Sequence, residues 1–351
     1  MISIACLGVG RLYDGRLIEV FRDELKGVTV EVVCDLDTKK SARVAKILGA
    51  ASESEDNKNF WNRKFDVVYI ATESGNHFVN AKAALEAGKH VIVEKPPTLL
   101  PEQVSLLISE SKKRGLMYAV ILQNRFNPAM VKLKQAYDEG RFGKITLATV
   151  RLRWCREQAY YEDGWHGTWK MDGGVISQQA FHHVDALQWV CGRPSSVVAA
   201  ETNSLNDLEA EDTMVGTVKF PMGALGVIEA TTAARPRDFE ASLSVVGEKG
   251  LVLIGGIALN RIEMWEFVDS FPEDETIPAE FSQEVPTGYG LSHGLLIQEI
   301  VDRLSRGNID PPISGSDALP TVELVHAMYR SVETGKWVNL EDDPLSARLG
   351  Q

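Results

Sequence analysis

Short apolar runs alternate with helix-period segments through the first third of the chain. ISIACLG (2–8), VTVEVVCD (28–35), FDVVYIA (65–71), HVIVEK (90–95) and LMYAVIL (116–122) are apolar over most of their length, as strands covered on both faces must be. Between them, TKKSARVAKILG offers Thr38 as a helix N-cap, Val44, Ile47 and Leu48 on one face and Gly49 as the stop; NHFVNAKAALEAG runs similarly from Asn76 to Gly88. The repeated strand–helix–strand pattern predicts right-handed crossovers and a doubly wound parallel sheet, whose ligands bind beyond the carboxyl ends of the strands.

After residue 123 the pattern changes. A helix, PAMVKLKQAYDEG, leads into KITLATVRLRW, and EDTMVGTVKF, ALGVIEATT and SLSVVG then cluster β-formers between glycine turns with no helix between them. A largely antiparallel, open sheet with one covered face is predicted, followed by two helices near 293–305 and 317–334, the second closed by Gly335. The reading is therefore α/β followed by α+β, with a Rossmann domain over residues 1–123 and a substrate-binding and oligomerisation domain over 124–351.

Composition agrees and adds exclusions. At 351 residues with 44% hydrophobic content the chain is long enough for two cores, and its formal net charge of −12 argues against nucleic acid or an anionic membrane surface as a partner. No run is long and apolar enough to span a bilayer, and MISIACLGVG lacks the basic start and long apolar centre of a signal peptide, so a cytoplasmic location is expected. Cys6, Cys34, Cys155 and Cys191 have no CxxC spacing and read as reduced residues.

Chemistry enters at the strand ends. The first strand runs into GVGRLYDG, where Gly8 and Gly10 would let the backbone approach a pyrophosphate, although Tyr13 stands where the GxGxxG pattern has its third glycine. Asp35, closing the second strand, is placed to accept from a ribose 2′-hydroxyl and to repel a 2′-phosphate, which favours NAD over NADP. VIVEKPP (91–97) ends a strand built for burial on Glu94 and Lys95; an ionised lysine is costly to bury unpaired, so Lys95 is either a surface residue or held at the mouth of a site.

The stretch DVVYIATESGNHFVNAKAALEAGKHVIVEKP (66–96) resembles the central signature of the glucose–fructose oxidoreductase, inositol dehydrogenase and rhizopine catabolism (Gfo/Idh/MocA) family, and the resemblance extends over nearly the whole chain. It implies that Lys95 lies beside the nicotinamide and the reacting hydroxyl, and that Gly8, Gly10, Arg11, Leu12, Asp35, Thr72, Asn76, His77, Glu94 and Gln123 line NAD. Glu73 stands where a proline is common. A second family signature, GGGxLxDxGxHxxD, is matched by DGGVISQQAFHHVD (172–185) and puts His182 at the catalytic histidine and Asp185 at the later aspartate. Gln178 stands where the family has Asp or Asn; on a continuous helix it would share a face with His182. An amide takes no proton, so acid–base work falls on His182 and Lys95. Asp172 and Ala180 replace glycines. The His-His-x-x-Asp group is read without a metal, because the family reaction needs none and adjacent histidines on a helix diverge.

QNRFNPAMVKLKQAYDEGRFGKI and RLRWCREQAYYEDGWHGTWKMDGG resemble, more narrowly, the branch that oxidises the 3-hydroxyl of a nucleotide-linked N-acetylhexosamine or its uronic acid. Arg151 and Arg153 share a strand face and Arg156 follows, a basic patch able to hold carboxylate or pyrophosphate, unless that face is an oligomer interface. Asn124 and Gln178 are expected to orient the sugar, Arg125 and Arg156 its anionic parts, and Tyr160, Tyr161, Trp165 and Trp169 to stack on sugar or base. The expected function is an NAD-dependent sugar dehydrogenase in which His182 removes the hydroxyl proton with help from Lys95. The alternatives are a dehydrogenase of a free sugar or cyclitol, an NAD-assisted glycosidase, and a non-catalytic sensor, against which the pairing of Lys95 with His182 argues. The resemblance also implies a homo-oligomer, dimer or tetramer, paired through the second-domain sheet.

Overall fold

Six parallel strands, β1 (Ile2–Leu7), β2 (Val28–Cys34), β3 (Ala51–Glu53), β4 (Val67–Ile70), β5 (His90–Val93) and β6 (Tyr118–Val120), pair in the order β3-β2-β1-β4-β5-β6. The structure, a computed structural model, describes residues 1–54 and 60–351. β4 is buried along its whole length, and the strand order reverses between β1 and β4, the switch point at which such sheets hold ligands. β3 was not anticipated: Ala-Ser-Glu carries no apolar pattern, and the strand exists through backbone pairing with β2.

In chain order the α-helices are α1 (Thr38–Leu48), α2 (His77–Glu86), α3 (Pro101–Arg114), α4 (Pro128–Asp138), α5 (Phe181–Cys191), α6 (Ile277–Phe281), α7 (His293–Ser305) and α8 (Gly315–Thr334). The N-cap of α1 is Asp37 rather than Thr38, its carboxylate accepting from the N–H groups of Lys39 and Lys40. The inward face of α1 is Ser41, Val44 and Ala45, which leaves Ile47 exposed, one position off the expected face.

The segment after β1 contains π turns over Tyr13–Leu17 and Val20–Glu24. Tyr13 is fully buried, stacked on Phe21 and edge-on to Tyr69, and from this residue the backbone adopts i to i+5 bonding. The position where the pattern calls for a glycine thus holds a core ring in a widened turn.

A single division after residue 123 does not describe the chain. The first compact unit comprises Met1–Gln123 together with Leu291–Leu319, and the second Asn124–Gly290 together with Pro320–Gln351. The returning segment is drawn to the first unit by burial: α7 packs on β1 and the second π turn, hiding Leu296, Ile297, Ile300, Val301 and Leu304. Arg16 donates to the Leu291 carbonyl (2.9 Å), and the Val120 N–H donates to the Ile313 carbonyl (3.1 Å).

The second unit is built on eight strands, β7 (Ile145–Arg153), β8 (Ser196–Thr202), β9 (Thr213–Lys219), β10 (Leu225–Thr231), β11 (Glu240–Gly247), β12 (Gly250–Gly255), β13 (Arg261–Phe267) and β14 (Val338–Asn339), ordered β13-β12-β11-β7-β10-β9-β8-β14. All neighbours are antiparallel except β7 and β10. α4 and α5 pack on one face, which buries Val150, Leu152, Ile228, Ala230, Leu243 and Val245. The opposite face shows Leu147, Val215, Leu225 and Val246, between 37% and 47% exposed.

Candidate active site

In the first unit the expected cofactor residues gather at the carboxyl ends of β1, β2, β4 and β5. Gly8 has φ +79°, and a Cβ there would stand 2.6 Å from the Thr72 nitrogen, so the end of β4 is what demands this glycine. Gly10 faces open space, leaving its backbone accessible to a ligand. Arg11 is exposed and Leu12 half-buried in the turn that follows. Asp35 ties this turn to β2: its two oxygens accept from the N–H groups of Val9 (2.7 Å) and Asp37 (2.8 Å), and each keeps a lone pair for a ribose hydroxyl.

Past β4, the Thr72 hydroxyl accepts from the Asn80 amide, and Asn76 donates to Glu73 (3.0 Å). Glu73 is thereby engaged at the position where the family pattern has proline. His77 was expected beside the cofactor. It is instead 1% exposed, with Nδ1 2.7 Å from the Pro96 carbonyl and Nε2 3.1 Å from that of Thr72, and burial lowers its pKa. It joins the loop after β4 to the loop after β5.

Glu94, also expected at the cofactor, is buried too. Its Oε1 accepts from the Tyr69 phenol (2.5 Å) and its Oε2 from the Lys95 N–H (3.3 Å); burial pushes its pKa up to about 7. His293, the first residue of α7, brings Nε2 to 3.8 Å from the same Oε1, and burial pushes the His293 pKa down to about 3. Sequence spacing gives no hint of His293, which lies far from Glu94 along the chain. Lys95 itself is half-buried just beyond β5. Gln123 is 3% exposed, and its Oε1 is buried without a hydrogen-bond partner. An orphaned acceptor, an open Gly10 turn and a carboxylate at the end of β2 fit a dinucleotide held by Gly10, Asp35 and Gln123.

In the second unit His182 sits in the first turn of α5, 8% exposed, and the adjacent His183 turns into the core edge-on to Trp154. Gln178 does not share a helix face with His182: residues 175–180 form hydrogen-bonded turns, and α5 begins only at Phe181. Its amide donates to Asp172 Oδ1 (2.7 Å), while Asp172 Oδ2 accepts from the Gly167 N–H (3.0 Å). The two departures from the family pattern therefore belong together. With a carboxylate at 172, another at 178 would face its own kind, whereas an amide donates to it. Gly174 lies against Glu211, whose carboxyl would collide with any Cβ there.

Several expected substrate ligands turn out to be internally engaged. Arg125 forms a bidentate pair with Asp185 (2.8 and 2.7 Å), to which Thr321 also donates (3.0 Å), so its guanidinium fork anchors α5. Asn124 is buried, its carbonyl accepting from Asn127. Tyr161 is buried with its hydroxyl on Thr232 (2.8 Å). Arg151 and Arg153 each bridge Glu229 and Glu240 across the open sheet face, which cancels the expected basic patch. Arg156 pairs with Asp238 (2.9 Å) and lies over the rings of Trp154 and Tyr160. Trp165 is half-buried and stacked on His166, while Trp169 lies under Arg348. His166, absent from the expectations, links Asp163 (2.6 Å) to the Tyr160 hydroxyl (3.0 Å). Among the described residues no group of three or more His, Cys, Asp and Glu side chains is placed to hold a metal ion, and no helix is long and apolar enough to cross a membrane.

A six-stranded dinucleotide-binding sheet with a lysine at a strand end, followed by an open-sheet domain with a histidine at a helix start, defines an NAD-dependent dehydrogenase. The chain belongs to the Gfo/Idh/MocA oxidoreductase family: residues 2–122 match its NAD-binding Rossmann domain and 134–340 its C-terminal alpha/beta domain. Among solved structures it is similar to the WlbA dehydrogenase from Bordetella pertussis in complex with NADH and UDP-GlcNAcA (TM-score 0.89, 32% identity, 96% of this chain and 97% of that one). The WlbA dehydrogenase from Chromobacterium violaceum, with the same two ligands, gives TM-score 0.88 and 33% identity over 96% of this chain and 95% of that one. Among curated proteins, scyllo-inositol 2-dehydrogenase (NAD(+)) of Bacillus subtilis (strain 168) is 25% identical over 97% of this chain and 96% of its own length.

Proposed function

We propose that this chain oxidises a secondary hydroxyl of a sugar, and that the sugar is a nucleotide-linked N-acetylhexosamine or its uronic acid, oxidised at the 3-hydroxyl. The supporting observation is that identity to the two WlbA dehydrogenases, each holding NADH and UDP-GlcNAcA, reaches 32% and 33% across 96% of the chain, against 25% for the inositol enzyme.

Converting an alcohol to a ketone removes a proton from oxygen and a hydride from carbon. NAD, when bound, takes up the hydride. His182 receives the proton, and the Lys95 ammonium stabilises the negative charge that grows on the oxygen as the proton leaves. Gln178 acts through Asp172 on the loop that carries Trp165. Arg125 is committed to Asp185 through two nitrogens, whereas Arg156 meets Asp238 through Nη1 alone, so Arg156 is the arginine assigned to anionic parts of the substrate, and Trp165 the ring assigned to the sugar. Self-association through the open sheet face belongs to the same reading.

A second reading, oxidation of a free cyclitol or sugar, is favoured by the match to the inositol dehydrogenase over almost the whole chain. Mixing the protein with NAD and a panel of UDP-N-acetylhexosamines, their uronic acids, free hexoses and inositols, and following NADH absorbance, separates the two. Parallel samples contain 2-oxoglutarate, to reoxidise cofactor that stays bound. Turnover restricted to nucleotide sugars is expected; turnover restricted to free polyols would transfer the assignment to the second reading.

A further inference from the structure

The mechanism above uses Lys95 and leaves unexplained the buried groups beneath it. Glu94 is 6% exposed at the end of β5, with the Tyr69 phenol on one oxygen and the Lys95 N–H on the other. His293 is 1% exposed and stands 3.8 Å from the oxygen that Tyr69 holds, while its Nδ1 is buried with no hydrogen-bond partner. A buried ring nitrogen without a partner is destabilising, by about 1–3 kcal/mol for such groups generally, so a chain that keeps one there invites a functional explanation.

The geometry points to Glu94 as a positioning residue that seats Lys95 and holds its charge, and to His293 as the group that keeps Glu94 in that role. The inference rests on Lys95 serving the reacting oxygen, as proposed above. Glu94 is 6% exposed and held by partners within the first unit, whereas Asp35 is half-buried, so Glu94 has the arrangement of a support rather than of a ligand to the cofactor. The charged and titratable groups that face this cluster are Cys6 from β1, Tyr13 and Arg16 from the segment after it, Tyr69 from β4, Lys95 itself and His293 from α7. Arg16 in turn is paired with Glu19 and Glu24.

The Lys95 ammonium favours the ionised form of Glu94. Coupling between two sites is reciprocal, so ionised Glu94 favours the ammonium form of Lys95 by the same amount. With Glu94 brought by burial to about 7 and His293 to about 3, the imidazole is neutral at neutral pH and the carboxyl changes charge there. As pH rises through that point, the carboxylate that forms and the Lys95 ammonium stabilise each other, which places a supported cation where an alkoxide needs one.

The test labels Lys95 directly and needs no substrate. The full-length protein is treated with trace acetic anhydride between pH 6 and 10, and acetylation of Lys95 is followed by mass spectrometry, with the exposed Lys82 as internal reference. In Glu94→Gln the midpoint for Lys95 is expected to move down by at least half a pH unit while Lys82 stays put and NADH affinity changes less than threefold. His293→Leu should produce part of that shift by letting the Glu94 carboxyl move, and His293→Gln, closer to the imidazole in polarity, should produce less of it. Tyr69→Phe gives a second route to the same shift should Glu94→Gln fold poorly. An unmoved Lys95 midpoint in Glu94→Gln and His293→Leu would overturn the inference, as would a tenfold loss of NADH affinity with the Lys95 profile unchanged, which would make Glu94 a cofactor ligand. If no sugar in the panel is turned over, the proposed function falls while the labelling result stands; a turned-over sugar with an unmoved midpoint sinks the positioning role alone.

Discussion

Glu211 carries a solution signature of its own. It is 2% exposed, accepts from the Tyr329 phenol (3.0 Å) and the Ile176 N–H (3.1 Å), and burial pushes its pKa from the ordinary 4.5 up to about 8. A carboxyl that holds its proton more tightly in the folded state stabilises fully below the unfolded value and loses that contribution as pH rises through the folded one. In urea unfolding the stability difference between wild type and Glu211→Gln should therefore fall as pH rises from about 5 to 8, while the buried His77 and His293, whose pKa values are lowered, contribute in the opposite sense to both proteins alike. Parallel curves for the two proteins would show that Glu211 is ionised in the fold. Lys95→Ala should lower kcat by about 10²–10⁴-fold, the usual worth of a positioned proton-handling group, while NADH affinity measured by fluorescence stays within threefold. Equal loss of both would make Lys95 structural.

At the level of elements, what the sequence reveals depends on whether the determining contact is local. Buried parallel strands declare themselves because both faces must be apolar, and the helix at 293–305 because its apolar period is regular. The same period says that α7 buries a face without saying against what, which is why its return to β1 was not foreseen. The site divides the same way. Asp35 and Lys95 stand at strand ends that the apolar runs mark, and the lysine of the EKP motif is found from its neighbours. The pairings Arg125 with Asp185 and Arg156 with Asp238 join residues 60 and 82 positions apart, the approach of His293 to Glu94 spans 199, and no local pattern records any of them. One consequence separates stability from binding. Asp185 is 3% and Arg125 12% exposed, so Arg125→Ala leaves a buried carboxylate uncompensated and should cost about 3–5 kcal/mol in urea unfolding. Unchanged stability with a raised KM would instead return Arg125 to the substrate.

For the molecule as a whole, the open face of the eight-stranded sheet and the division of the chain set expectations that no single residue does. Leu147, Val215, Leu225 and Val246 form apolar surface on a face where Arg151 and Arg153 are already balanced by Glu229 and Glu240. Apolar surface with its charges internally cancelled suits contact with a copy of itself. Light scattering is expected to give a multiple of one chain's mass for the wild type and the mass of a single chain for the double variant Leu147→Glu, Val215→Glu; a wild-type monomer would leave this face as ordinary surface. The itinerary of the chain has a further consequence, for its birth. A ribosome delivers Met1–Gln123 first, but the piece that completes that unit, Leu291–Leu319, emerges only after the body of the second unit has been made. At about 5–20 residues per second the nascent first unit must wait on the order of 10 s to half a minute with the face meant for α7 uncovered. A shielding chaperone, or a codon-driven change of elongation rate after residue 123, would act in that interval and not after release.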